Sequence, residues 1–485
     1  MGSFFKMFFA SLLSIIVFCL IIFFFMAAFV AVLTTRDKPD IPKKSVLVID
    51  LDDHFSEAGS KEPFSGFLAG SDHPGLYDVV RLIRHAKKDK DISGIYIRAE
   101  GNANGFASSY ELRKAIMDFR GTDKFVIAYG NVMSERAYFV ASAAEKIYVN
   151  PTGIFEWKGL NVTLPFLKGT LEKLDIKAQV FYAGKYKSAT EVFRTDKMTP
   201  ENKLQTLEWL NDIYYYSLMQ ISATRGIDTA SLHRLADTSI IQTPQDAVSN
   251  RLIDGAKYDD QVRDEVKKLL KIRKHDKLHF ISLSKYDEAV SLRRSGKDRV
   301  AVIYAEGNIV DGEGAMDEIG GERFRKLVRR ARLDKSVKAI VLRVNSGGGS
   351  ALASEVIWRE LQMAKQDKKP VVVSMGDVAA SGGYYIACGA DSIFANHNTI
   401  TGSIGVFGVI PDMSGFFKNK LGITFDGVKT AANADAVPTY RPMNEVEKRM
   451  IQAMIERIYV QFKQRVAEGR KRDTAYVENV AQGRV

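Results

Sequence analysis

The segment Gly376-Asp-Val-Ala-Ala-Ser-Gly-Gly-Tyr-Tyr-Ile-Ala387 follows an apolar run, Val371 to Met375, and opens a stretch rich in small residues. Such a pattern reads as a buried strand that turns directly into a helix. It occurs twice. Gly130-Asn-Val, Tyr138-Phe-Val-Ala141, Ile147 and Asn150 lie over Gly376-Asp-Val, Tyr384-Tyr-Ile-Ala387, Ile393 and Asn396 at a shift of 246 without a gap. Working outward, Ile92-Ser-Gly-Ile-Tyr-Ile-Arg98 matches Val337-Lys-Ala-Ile-Val-Leu-Arg343 at a shift of 245, and Val46-Leu-Val-Ile-Asp50 matches Val300-Ala-Val-Ile-Tyr304. A nearly constant offset over separated blocks marks an internal duplication. In each copy, short apolar strands alternate with helical stretches, as in parallel β/α units, and each ends in longer helices, Glu201 to Thr224 and Asn444 to Glu468. The expected fold is α/β, with two tandem domains over 45–262 and 299–485. Between them, 263–298 holds 11 Lys or Arg against 6 Asp or Glu and reads as a helical or extended solvated connector, with contact to anionic lipid headgroups as the alternative. Asn479 to Val485 falls over Arg234 to Ile240, while the first copy continues through Gly255, so the second copy is expected to be truncated and its last helix under-packed.

The composition suits a folded, enzyme-sized chain: 485 residues, 46% hydrophobic and 26% charged, with 37 Gly and 12 Pro. Two cysteines, Cys19 and Cys388, make no disulfide framework, and seven scattered histidines give no CxxC or HExxH signature, so no metal and no cofactor is expected. The net charge of +11 is dispersed and carries no nucleic-acid motif, so nucleic acid is not an expected partner. From Met7 to Thr35 there is no charge, and Lys6 and Arg36 bracket the stretch. That predicts a transmembrane anchor over 7–35, since a signal peptide's apolar region usually spans only about 7–15 residues. Arg36, Lys38, Lys43 and Lys44 beyond it mildly favour a cytoplasmic body by the positive-inside rule.

Two features carry chemistry. Asn345-Ser-Gly-Gly-Gly-Ser350 stands between the strand Ala339 to Val344 and a helix beginning near Ala351, where glycines free backbone N–H groups to hold phosphate or an oxyanion. It lacks the lysine of a phosphate-binding loop. Ser381, at a strand-to-helix turn with Gly382 and Gly383 behind it, has the setting of a nucleophile. The first copy has Glu135, Arg136 and Ala137 at those positions, and Asn102-Ala-Asn104 in place of the triple glycine, so the signature exists in the second copy alone. The base is either His397 or a lysine kept neutral by burial. Lys187, in Phe181-Tyr-Ala-Gly-Lys-Tyr-Lys-Ser-Ala-Thr190, matches Thr430 in the second copy and so belongs to the first copy alone.

These residues resemble the signal peptide peptidase A family in its long, duplicated form, also called protease IV, over nearly the whole chain. In that family the serine of an "ASGGY" segment is the nucleophile, matched by Ser381, and the lysine of a "YKSA" segment is the general base, matched by Lys187. The "NSPGG" turn that supplies an oxyanion amide is similar to Asn345-Ser-Gly-Gly-Gly349, with Gly347 where the family usually has proline, and "TGSIG" stands as Thr401-Gly-Ser-Ile-Gly405. The resemblance implies Clp-protease or crotonase-like domains assembled into a homotetrameric bowl. It also implies a single-pass anchor in a bacterial cytoplasmic membrane, an extracytoplasmic body, and cleavage of leftover signal peptides and other unstructured apolar peptides. On this reading Gly348 or Gly349, with Gly382, forms the oxyanion hole, and Ser403 is a candidate for orienting the lysine. The rival readings are a crotonase-like acyl-CoA enzyme and a non-catalytic membrane scaffold. Retention of Ser381 in one copy and Lys187 in the other speaks against both.

Overall fold

The computed structural model describes residues 2–34, 38–59, 74–290, 292 and 296–485. Helix Gly2–Thr34 begins the chain, and its Gly2–Met26 stretch has a mean hydropathy of 3.0 and buries nothing against the rest of the protein. It is long and apolar enough to cross a membrane. Within the stretch 7–35 read as an anchor, residues up to Thr34 are helical, the helix extends back through Lys6 to Gly2, and Thr35 lies outside the described residues.

Two parallel sheets follow. The first runs Gly255–Ala256, Lys146–Phe155, Phe125–Met133, Ile92–Arg98, Ser45–Asp50, Phe280–Ser282 across its width. The second runs Ser392–Phe394, Val371–Ala380, Val337–Ser346, Arg299–Glu306, with Ile400–Gly402 pairing along the end of Val371–Ala380. The repeated blocks take the same register: Tyr96 pairs with Ile127 as Val341 pairs with Val372. Apolar residues on both faces of the strands suit a sheet covered from two sides, which the first sheet is.

The described residues of 263–298 are helical and extended as expected, but much of this stretch is packed rather than solvated. Helix Asp259–Leu269 lays Val262 and Val266, with Leu270 behind them, on the sheet face made by Val46, Tyr96, Ile127, Tyr129 and Tyr148. Strand Phe280–Ser282 then pairs with Ser45–Asp50, and helix Leu283–Val290 buries Leu283 and Tyr286. The charge count misled because the basic side chains line the outer face of the same elements, while the sparse apolar ones decide the packing. The equivalent face of the second sheet has no covering helix among the described residues, and Val300 and Phe394 there are 54% and 64% exposed. A cavity of about 730 Å³ lined by Val300, Val302, Val341, Arg343 and Glu57 lies on that face and contains neither Ser381 nor Lys187.

Several contacts tie the two halves together, among them an aspartate cap, a buried arginine and a strand pairing. The Asp377 carboxylate, on strand Val371–Ala380, accepts from the N–H of Ala107 (2.8 Å) and of Ser108 (3.0 Å) at the start of helix Phe106–Arg120. Arg343 reaches Glu57 and Glu111, each at 2.9 Å. Strand Lys177–Ala183 pairs antiparallel with Val406–Asp412, from Ala183 opposite Val406 to Lys177 opposite Asp412. The last helix, Thr474–Val480, is not under-packed on its inner side: Val477 and Ala481 are buried against Trp358, Tyr385 and Phe462.

Candidate active site

Strand Val371–Ala380 delivers Ser381 to the head of the short helix Gly382–Ala387. At Ser381 the backbone has φ 52° and ψ −119°, a combination that costs a side-chain-bearing residue roughly 1–3 kcal/mol. Two hydrogen bonds hold it there: Ser381 N–H donates to the Gly402 carbonyl (3.0 Å), and the Ser381 carbonyl accepts from Tyr385 (2.9 Å). The result is a side chain thrust out of a sharp strand-to-helix turn, the geometry of a nucleophile elbow.

Lys187 arrives from the other copy. The antiparallel pairing of Lys177–Ala183 with Val406–Asp412 carries the chain across, and Gly184, at φ 103°, turns it toward Ser381. The loop is braced on both sides of the lysine, since the Gln205 side-chain amide donates to the Tyr186 carbonyl (3.0 Å) and to Ser188 Oγ (2.9 Å). Tyr186 N–H also donates to the Gln482 carbonyl (2.8 Å). Lys187 is 4% exposed, and its Nζ stands 3.2 Å from Ser381 Oγ, 2.9 Å from Ser403 Oγ and 3.1 Å from the Ser403 carbonyl. Among the described residues no carboxylate pairs with it, and burial pulls the ammonium down from 10.5 to about 8. Ser403 is itself held at φ 49°, with its N–H donating to the Arg484 carbonyl (2.6 Å).

The glycine turn closes the site. A Cβ on Gly348 would sit 2.5 Å from Gly382 N and 2.9 Å from Ser381 Cβ, and one on Gly382 would sit 3.1 Å from Gly349 N. The turn and the elbow therefore touch through bare backbone. Gly348, a sequence-derived candidate donor, has its N–H committed to Ser346 Oγ (3.1 Å), so its contribution is the lack of a side chain. Among the described residues the N–H groups of Gly349 and Gly382 have no partner. Both border Ser381, where they can receive a developing oxyanion.

The residues named from the sequence, Ser381, Lys187, Ser403, Gly348, Gly349 and Gly382, all converge, although the Gly348 N–H is already occupied. His397 does not join them; its ring stacks on Tyr216 at 4.5 Å. Gln205 was missed, because it sits in the long helix Pro200–Arg225, where a lone amide carries no signal. Among the described residues no group of three or more His, Cys, Asp or Glu converges as for a metal ion.

The family model described as "Peptidase family S49" matches residues 118–273 and 363–485, covering parts of both copies. "Protease 4" of Salmonella typhi is 37% identical over 418 residues, which is 84% of this chain and 67% of the relative. "Protease 4" of Haemophilus influenzae is 33% identical over 84% of this chain and 68% of its own length. "Serine protease SPPA, chloroplastic" of Arabidopsis thaliana is 30% identical over 82% of this chain and 60% of its own. The chain spans about two thirds of the bacterial relatives. Similarity of this extent, running through both the lysine-bearing and the serine-bearing copy, makes the chain a member of peptidase family S49 and a serine protease.

Proposed function

We propose that this protease is a membrane-anchored endopeptidase working through a Ser381–Lys187 dyad formed within one chain. The observation that carries the reading is Lys187 Nζ at 3.2 Å from Ser381 Oγ, in a buried setting that favours the neutral amine. The neutral amine accepts the Ser381 hydroxyl proton as Oγ bonds to the substrate's peptide carbonyl carbon. The carbonyl oxygen takes up negative charge against the N–H groups of Gly349 and Gly382. The Lys187 ammonium then gives its proton to the departing amine as the C–N bond breaks, leaving an acyl ester on Ser381. Lys187 next takes a proton from water, whose oxygen attacks the ester, and returns it to Ser381 Oγ. Ser403 orients Nζ through its hydroxyl and its carbonyl, leaving the lone pair for Ser381.

The substrates fitting this reading are remnant signal peptides and other unstructured apolar peptides, which the apolar helix Gly2–Thr34 would keep near at hand. The family resemblance supports a bacterial cytoplasmic membrane, an extracytoplasmic body, a homotetramer and two tandem Clp-protease or crotonase-like domains. Against that side of the membrane stand the basic residues after the helix. A fluorophosphonate probe tests the dyad. It labels the wild-type chain on Ser381, and labelling disappears in Ser381→Ala; a probe that still attaches in Ser381→Ala places the nucleophile elsewhere. Ser403→Ala removes one of the two groups holding Nζ, and kcat falls about tenfold while KM stays within about twofold. An unchanged kcat in that variant would show that the Ser403 carbonyl suffices.

A further inference from the structure

We propose that Ser346 is a positioning residue that aims the oxyanion-binding N–H of Gly349, an inference that rests on the dyad reading above. Three consecutive glycines, Gly347 to Gly349, form the turn beside Ser381. Such a run has more backbone freedom than any other sequence of its length. A donor that stabilises a transition state must instead be fixed before the reaction begins. Packing does not fix Gly347, because a Cβ there would meet nothing within 4 Å.

Hydrogen bonds do. Ser346 is 2% exposed at the end of strand Val337–Ser346. Its hydroxyl donates to the Gly307 carbonyl (2.6 Å) and accepts from the Gly348 N–H (3.1 Å). Its one proton is thereby spent on a neighbouring loop, and its lone pair pins the Gly347–Gly348 peptide. The next peptide plane is pinned from the other side, since the Gly348 carbonyl accepts from Ile309 N–H (2.9 Å). In a trans peptide the C=O and the following N–H point in opposite directions. With the Gly348 carbonyl turned to Ile309, the Gly349 N–H is turned away from it, to the side where Gly382 lies. Ser346 and Ile309 together set both planes leading to the donor. Among the described residues no hydrogen bond joins the Ser346 side chain to Ser381 or Lys187.

The test compares Ser346→Ala and the near-isosteric Ser346→Cys with wild type on a chromogenic peptide substrate, beside Ser381→Ala and Lys187→Ala. For both Ser346 variants kcat falls roughly 10- to 100-fold, below the 10²–10³-fold typical of losing a donor outright. KM stays within about twofold, and the pH midpoint of kcat stays at the wild-type value. Affinity for a peptide aldehyde, whose adduct carries the oxyanion, falls with kcat. Adding Gly347→Pro to Ser346→Ala restores several-fold of the loss. Gly347 is not left-handed, its N–H has no partner among the described residues, and the strand end before it suits a residue preceding proline. Two results overturn the proposal: Ser346 variants with kcat within about twofold of wild type, or a fall in kcat accompanied by a displaced pH midpoint. Should Ser346→Ala not fold, Ser346→Cys, which keeps the volume, decides. Activity surviving in Ser381→Ala and Lys187→Ala would remove the dyad reading itself, whatever the Ser346 variants do.

Discussion

Replacing Lys187 with arginine abolishes peptidase activity, with kcat/KM falling by at least about a thousandfold, and replacing it with alanine does the same. The arginine result is the more informative, because it keeps a positive charge and a long side chain while removing the capacity to be neutral. A guanidinium stays protonated throughout the accessible pH range, so it cannot take the Ser381 proton. It also does not fit where Lys187 is 4% exposed and its Nζ is surrounded by Ser381 and Ser403. Steady-state hydrolysis of a peptide substrate by Lys187→Arg, Lys187→Ala and wild type measures this. Substantial activity in the arginine variant would remove Lys187 as the base, and His397, stacked on Tyr216, would have to be reconsidered.

Arg343→Met should cost about 3–5 kcal/mol of stability, the scale for stripping one partner from a buried ion pair. Arg343 is 8% exposed on a strand of the second sheet, yet its guanidinium bonds Glu57 and Glu111 from the first half. Burial already pushes the Glu57 carboxyl up to about 7 against the pull of Arg343. A folded-state value raised above the usual 4.5 means that Glu57 subtracts stability as pH climbs from about 4.5 to 7. Without the guanidinium that carboxyl is harder still to ionise, so the gap between wild type and Arg343→Met widens as pH rises. The duplication supplies a built-in control. Arg98 stands at the matching position of the first sheet, but it is 56% exposed and meets Asp50 at 3.4 Å. Arg98→Met therefore costs under about 1 kcal/mol, as surface pairs do. Denaturant unfolding of the two variants at pH 5 and pH 8 checks both halves of the statement; equal costs, or a gap that narrows with pH, would contradict it.

Much of the architecture was legible because duplication makes weak signals strong. A single run such as Val337 to Arg343 is ambiguous between helix and strand, but its counterpart at Ile92 to Arg98 fixes both as strands in matching sheets. Long helices with apolar spacing were equally plain, as Pro200–Arg225 and Glu445–Arg470 show. Residues 263–298 misled through their net charge, since Val266, Ile281, Leu283 and Tyr286 are too sparse to register as a core yet are what the fold buries. Non-local pairings were also out of reach. Nothing local announces that Lys177–Ala183 pairs with Val406–Asp412, although that pairing is what carries Lys187 to Ser381. The site residues themselves were named by motif resemblance and by their complementary retention in the two copies. What no motif shows is backbone geometry: the φ of 52° at Ser381, and the hydrogen bond that occupies Gly348 and leaves Gly349 free.

The most direct test of the central claim, that a neutral lysine from one copy activates a serine from the other, is the pH dependence of the rate at which a fluorophosphonate modifies Ser381. The account predicts a rate that rises through a midpoint near 8, the value to which burial brings Lys187, and no labelling in Lys187→Ala at any pH. A midpoint near that of free histidine, about 6.5, or labelling that persists in Lys187→Ala, would contradict it.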